Sequence, residues 1–303
     1  MTKPQTKTLS RRRLGDSAAA YIMLVPFMFF FIAFTVIPVV SSVVLSFFSY
    51  DMVSLPHFSG LENYLRMVSG DEVFPKALVN TLKFSVVTGP VSYLLAFLLA
   101  WLINEFGKTA RSILSFLFYA PALVGNAYFI WQIAFSGDSY GYINSFLINF
   151  GFIESPINWF RNVNYNFGIL VFVQLWMSMG VSFLADIAGL QNVNPELYEA
   201  GAIDGIRNRW HELWYITLPG MKDILLFGAV MQIQASFSIG AVIQTLAGYP
   251  SVNNSVDTIV SHLQDVGAVR YEMGYASAIS VVLFLMMALA RLVVGKVLNA
   301  LGR

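Results

Sequence analysis

The sequence predicts an all-α, polytopic membrane protein with six transmembrane helices and both termini in the cytoplasm. Three observations carry that expectation. First, 57% of the 303 residues are hydrophobic and only 12% are charged, with a mean hydropathy of +0.65. An ordinary soluble domain carries about 25% charge, and half of that cannot clothe a water-soluble surface of this size. Second, six stretches free of Asp, Glu, Lys and Arg are long enough for the ~20-residue crossing of a bilayer: 17–50, 84–104, 112–137, 162–185, 224–256 and 273–290. They are continuously apolar, with no period-2 alternation, which favours helices over a barrel. Third, with the N-terminus inside, 13 of the 18 Lys and Arg residues fall on cytoplasmic pieces, as positive charge on short loops requires.

The same arithmetic excludes other classes. A net charge of +1 gives no phosphate-seeking field, so nucleic-acid binding is ruled out. With no cysteines there is neither a disulfide framework nor a thiolate metal site, and His57, His211 and His262 are too scattered to suggest a His-ligated metal.

In chain order, residues 1–16 form a basic cytoplasmic tail whose Arg11-Arg12-Arg13 meets anionic headgroups, and 17–303 form the membrane domain. The first span is no cleavable signal, because its apolar core far exceeds 7–15 residues. Pro26 and Pro38 kink it or mark its ends. Residues 51–77 make an external segment, and the loop from Asn104 to Arg111 is short. The apolar piece 139–153 carries Asn144, Asn149 and Gly151 and suits an interfacial helix rather than a crossing. Asp186 stands near the cytoplasmic end of the fourth span and reads as a terminal or interfacial charge. A turn-rich external loop occupies 248–272.

The most informative stretch is the cytoplasmic loop 191–223. Asn194-Pro195-Glu196 is a helix start: Asn caps, Pro takes the first helical position, and Glu suits the positive end. The helix is expected to run from Pro195 to Ile203 and to break at Gly205. A second, amphipathic piece follows, with Trp210, Leu213, Trp214 and Ile216 toward the membrane. On physics alone, a helical hairpin lying on the bilayer and a docking element fit equally well.

Glu199-Ala200-Gly201, Asp204-Gly205, Ile216 and Leu218-Pro219 resemble the cytoplasmic "EAA" signature of permease subunits of binding-protein-dependent ABC sugar importers. Gly201 stands where that family has a second alanine, and Asp223 where it often has a proline. The resemblance extends along the chain. Phe58–Tyr64 looks like the external "F-x-GLENY" segment, Asn80–Phe84 like the "NTL-x-F" entry to the second span, and Gly141, Asn144 and Trp159 match similar loops. Together these motifs resemble the subunit class typified by the larger maltose and glycerol-phosphate permease subunits.

The resemblance implies half of a translocation pore, paired with a second permease subunit, two copies of an ABC ATPase and an extracytoplasmic solute-binding protein. It implies that Glu199, Ala200, Gly201, Asp204 and Gly205 enter an ATPase cleft, with Glu199 pairing a basic residue there and Ala200 and Gly201 permitting close packing. No chemistry falls to this chain: it holds no cofactor, and ATP and Mg belong to the partner. The absence of a G-x-x-x-x-G-K-[ST] loop agrees with that division. Gln174 and Ser178 of the fourth span, and Gln234 and Ser238 of the fifth, are candidates for the substrate route, since polar groups gain nothing from facing lipid. Trp176 could stack on a sugar ring, and any one of these residues could equally join helices together. A stand-alone transporter or channel for a small polar solute is the alternative, but no span carries a central charge for ion coupling.

Overall fold

The computed structural model describes residues 9–301; the side chains of Arg11, Arg12 and Arg13, and their expected lipid contact, lie outside what is described. The chain begins with α1 (Leu9–Phe31) and α2 (Ile37–Leu45), joined through a π-helical turn at Ile32–Val36. Pro38 sits just after that turn; lacking an N–H, it leaves a carbonyl without its i+4 partner, and the wider turn absorbs the mismatch. A small hairpin of β1 (Phe48–Ser49) and β2 (His57–Phe58) leads to α3 (Glu62–Ser69) and α4 (Val73–Asn104). Next come α5 (Lys108–Leu123), α6 (Phe129–Ala134), α7 (Tyr142–Asn149), α8 (Asn166–Met177) and α9 (Val181–Asn192). The remainder is α10 (Pro195–Ile203), α11 (Arg209–Glu212), α12 (Leu218–Gly220), α13 (Lys222–Phe237), α14 (Gly240–Leu246), α15 (Ile259–Gln264) and α16 (Met273–Leu301).

The chain is helical and multi-pass. Four stretches, Ala20–Leu45, Val73–Asn104, Lys222–Leu246 and Met273–Leu298, are long and apolar enough to cross a bilayer, and the pair α8–α9, bent by 44°, is a fifth if it counts as one crossing. The sequence predicts six spans; with the bent pair counted as one crossing, the run 112–137 is the one that forms no single long apolar helix. Pro121 removes a hydrogen-bond donor near the end of α5, Val124 turns extended (φ −96°, ψ 96°), and the helix resumes only at Phe129, beyond Gly125 and Asn126. The interfacial helix expected within 139–153 is present as α7.

The core runs along α4, which packs most heavily against α9 and α13. Its inner end, Ala96 to Ile103, meets Phe183, Ile187, Leu213, Ile216 and Met221. Its middle, at Phe84, meets Leu170, Val173 and Ile243. Its outer end, Phe74 and Ala77, meets Ile259, Val266, Tyr275 and Ile279. By contrast, none of the most apolar window of Ala20–Leu45 is buried within the chain.

Long loops need their backbone polar groups satisfied, and three asparagines do this. Asn63 donates to the carbonyls of Ser46 and Phe48, both at 2.9 Å. Asn80 donates to Asn254 and Asp257 at 2.9 and 3.0 Å, while Thr81 accepts from the Ile259 amide. Buried Asn144 donates to the carbonyls of Ser136, Asp138 and Ile157, and accepts from the Ile157 amide and the Trp159 indole. Asn63, Asn80, Thr81, Asn144 and Trp159, all within the motifs singled out in the sequence, thus bind loop backbone or one another.

Candidate functional site

The hairpin of α10 and α11 forms as its caps dictate. The Asn194 side chain accepts from the Glu196 amide at 3.1 Å, and Pro195 opens α10. At the other end the Ile206 amide reaches the Gly201 carbonyl (2.9 Å) and the Gly205 amide reaches that of Ala202 (3.4 Å). This paired closure requires a left-handed residue after the helix, and Gly205 supplies it at φ +93°. Ile206 lies over Gly201, where an added Cβ would come within 3.3 Å of Ile206 Cδ1.

The hairpin is braced against the bundle. Arg209 bridges Glu105 at the end of α4 (3.0 Å) and Glu212 (2.8 Å). Trp101 and Trp210 pack with tilted rings, centroids 5.4 Å apart, and the Tyr198 and Thr217 hydroxyls are bonded at 2.9 Å. All four were expected toward the membrane; Leu213 and Ile216 are instead buried in the bundle core, while Trp210 and Trp214 are exposed.

Of the five residues singled out on this loop, Glu199, Ala200, Asp204 and Gly205 are exposed. Gly201 differs from expectation. It is buried, and a Cβ there would lie 2.7 Å from Ile216 Cδ1, so its smallness serves packing inside the hairpin rather than at an outer surface. The sequence reading also missed Ile203, an apolar side chain 88% exposed at the tip of α10. Its signal was an apolar residue facing away from the core one position before the cap.

The structure divides the substrate-route candidates. Gln174 is buried and donates to the Ala235 carbonyl (3.1 Å), and buried Ser178 bonds back to the Leu175 carbonyl (2.7 Å). Both lie at the contact between the bent pair and α13. Gln232 does the same, donating to the Ser178 carbonyl (3.2 Å) and the Ser182 hydroxyl (2.6 Å). Gln234 and Ser238 instead are exposed. With Ala241 and Thr245 they follow the i, i+4, i+7, i+11 spacing of one helical stripe. Trp176 stands edge-to-face with Trp131 at 5.4 Å.

Asp186 is not the terminal charge expected. It is fully buried where Tyr93 of α4, Ser182 of α9 and Gly228 of α13 converge, and neither carboxylate oxygen has a hydrogen-bond partner. Positions 182, 186 and 189 share one face of α9, and that face is the one laid against α13.

Two cavities border these elements. One of about 170 Å³ lies behind the hairpin, walled by Trp101, Asn104, Glu105, Tyr198, Arg209 and Thr217. The other, about 320 Å³, opens where α6 and α14 end and is walled by Gln132, Phe135, Asn158, Phe160, Arg161 and Thr245 among others. Beyond it, the residues before α4 hold a polar cluster. Asp71 Oδ2 accepts from His262 Nε2 (2.8 Å) and the Tyr275 hydroxyl (2.6 Å), and His262 Nδ1 pairs with the Tyr249 hydroxyl (2.9 Å). Among the described residues no three His, Asp or Glu side chains gather to hold a metal.

A helical multi-pass bundle with a hairpin braced between α9 and α13 is the frame against which the relatives of the chain are compared. The chain belongs to the family described as the binding-protein-dependent transport system inner membrane component, whose model matches residues 71–302. It is similar to the probable ABC transporter permease protein YesP of Bacillus subtilis (strain 168), 31% identical over 293 residues covering 95% of this chain and 92% of YesP. It is also similar to the arabinooligosaccharides transport system permease protein AraP of the same organism, 32% identical over 92% of this chain and 88% of AraP. The fold matches a chain of the bacterial alginate ABC transporter, solved with an alginate pentasaccharide-bound periplasmic protein, at a TM-score of 0.75 over 96% of both chains and 21% identity. The family recognised from the Glu199–Pro219 signature is the family of the chain, and its place is the inner membrane.

Proposed function

We propose that this permease forms half of the pore of an ATP-driven importer for a sugar or oligosaccharide. An extracytoplasmic binding protein delivers the solute, a second permease subunit completes the pore, and two ATPase subunits dock beneath. In this reading the chain crosses six times with both termini inside. The break between α5 and α6 and the bend between α8 and α9 both lie within crossings, next to the pore. The names of the relatives, one of which transports arabinooligosaccharides, support the solute class.

One observation carries the coupling role. The exposed face of α10, with Glu199, Ile203 and Asp204, projects from a hairpin whose other side is locked to α4 and α13. Load applied to α10 by closing ATPases passes through Arg209–Glu105 and the Trp101–Trp210 pair to α4, and through Ile216 and Met221 to α13. Glu199 supplies the charge for a basic partner, Ile203 an apolar plug, and Asp204 and Gly205 the cap that fixes the direction of the tip. Gly201 holds the two arms of the hairpin together.

The test is to purify the assembled importer with Glu199→Lys or Gly205→Val and to measure ATPase retention, substrate-stimulated hydrolysis and uptake. Forcing Val to φ +93° costs about 1–2 kcal/mol or more locally. Leaving a buried partner charge unpaired costs about 3–5 kcal/mol of docking. Glu199→Lys is expected to release the ATPase. Gly205→Val is expected to keep hydrolysis but lose uptake. Wild-type stimulated uptake in both variants would reject the hairpin as the coupling element.

A further inference from the structure

We infer that the 320 Å³ outer cavity is a receiving site for saccharides, and that Arg161 makes it select sugars bearing a carboxylate. The inference rests on the importer reading above and adds the chemical class of the solute. Its first ground is position. Thr245 in the cavity wall is the outermost member of the stripe that descends through Ala241 and Ser238 to Gln234. A solute seated there stands at the head of a row of small and polar side chains.

The second ground is the wall itself. Phe135, partly exposed and held edge-on at 6.0 Å by the buried Phe160, offers an apolar surface suited to the C–H face of a pyranose ring. Gln132 and Asn158 are exposed amides with donors and acceptors for hydroxyls, and Thr245 spends its own proton on the Ala241 carbonyl, leaving its oxygen to accept.

The third ground is charge. Arg161 is the one charged residue in the wall, and it joins none of the ion pairs formed among the described residues, which engage Arg66, Arg209, Arg270 and His262. The nearest acid along the chain, Glu154, joins none of those ion pairs either, and Asp138, next to Gly137 of the wall, takes the Ser136 hydroxyl and the Tyr140 and Gly141 amides within its own turn. A neutral sugar presents hydroxyl protons that carboxylates commonly accept, and this wall contains none. A guanidinium with no partner carboxylate instead matches a sugar carboxylate in bidentate geometry, a shorter and stronger bond than a neutral one.

The test uses the complete importer in nanodiscs, without nucleotide, titrated calorimetrically with digalacturonate and with neutral galactobiose. Wild type is expected to bind the acid at least about tenfold tighter than the neutral sugar, with the difference shrinking as salt rises. Arg161→Gln is expected to abolish that preference while galactobiose binding stays as in wild type, and Arg161→Lys to retain part of it. Equal affinities in wild type, a preference that survives Arg161→Gln, or no binding of either sugar at millimolar concentration would each overturn the inference. Uptake of neutral sugars alone by the intact system would also overturn it while leaving the importer reading standing. Absence of uptake of any sugar would sink the importer reading itself.

Discussion

Asp71 shows how much a single side chain does at the outer end of the bundle. Its Oδ1 accepts the Val73 and Phe74 amides that open α4, and its Oδ2 accepts from His262 and Tyr275. Burial alone would raise this carboxyl, but the Tyr275 hydroxyl, the Phe74 amide and His262 outweigh it and hold the pKa at about 2, below the ordinary 3.8. A group lowered in the folded state adds stability above its unfolded value and loses it as pH falls through the folded one. The contribution is therefore full above about pH 4 and lost toward pH 2, on the order of 1–2 kcal/mol. Thermal melting of the purified chain should show that fall in wild type, and Asp71→Asn should lower the neutral-pH midpoint and flatten the acid limb. An unchanged acid limb in the variant would remove Asp71 from this role. Local residue chemistry of this kind is only partly legible in sequence. Asn194 and Gly205 were readable because a cap acts on neighbours two or three positions away. Asn80 reaches carbonyls 174 and 177 positions distant, and nothing local announces such a partner.

At the scale of an element, α13 carries two polar stripes with different surroundings. Gln232 and Ser236 are buried, while Gln234 and Ser238 are exposed. Sequence periodicity separated the two pairs correctly but not their roles, since either face of an apolar helix could have met α9. It likewise could not see that Gln174 and Ser178 lie at the helix contact, because a bend at Ser178–Gly180 decides which way they point. Gln232→Leu removes donors to Ser178 and Ser182, and interhelical hydrogen bonds of this type are worth about 0.6–2 kcal/mol. It is expected to lower the melting temperature in detergent. Gln234→Leu breaks no side-chain hydrogen bond among the described residues and should melt as wild type while uptake falls. If Gln234→Leu is the less stable of the two, the stripes have been assigned the wrong way round. The run 112–137 teaches the same lesson from the other side. Its composition reads as a crossing, and only the joint action of Pro121, Gly125 and Asn126 breaks it.

For the whole molecule, the question is how many times the chain passes through the bilayer, and two substitutions decide it. The helical fold class and the capped hairpin between α9 and α13 were legible because composition and capping act everywhere along the chain. Crossing number was not, because a broken helix pair and a bent one satisfy length and apolarity only in part. The chain contains no cysteine, so each introduced thiol reports alone. Asn149 and Ala202 are both exposed, and neither change disturbs the core. With six crossings and the N-terminus inside, Asn149→Cys reacts with an impermeant maleimide added to intact spheroplasts and Ala202→Cys does not. If α5–α6 turns back without crossing while α8–α9 crosses, the pattern inverts. If neither pair crosses, both thiols stay protected. The six-crossing outcome is expected from charge. It keeps Lys108, Arg111, Arg207 and Arg209 on the side that attracts basic loops, whereas the inverted pattern would export Arg207, Arg209 and Lys222. It is also the arrangement that puts α10 where an ATPase can reach it, so a protected Asn149→Cys would remove the topology on which the coupling role depends.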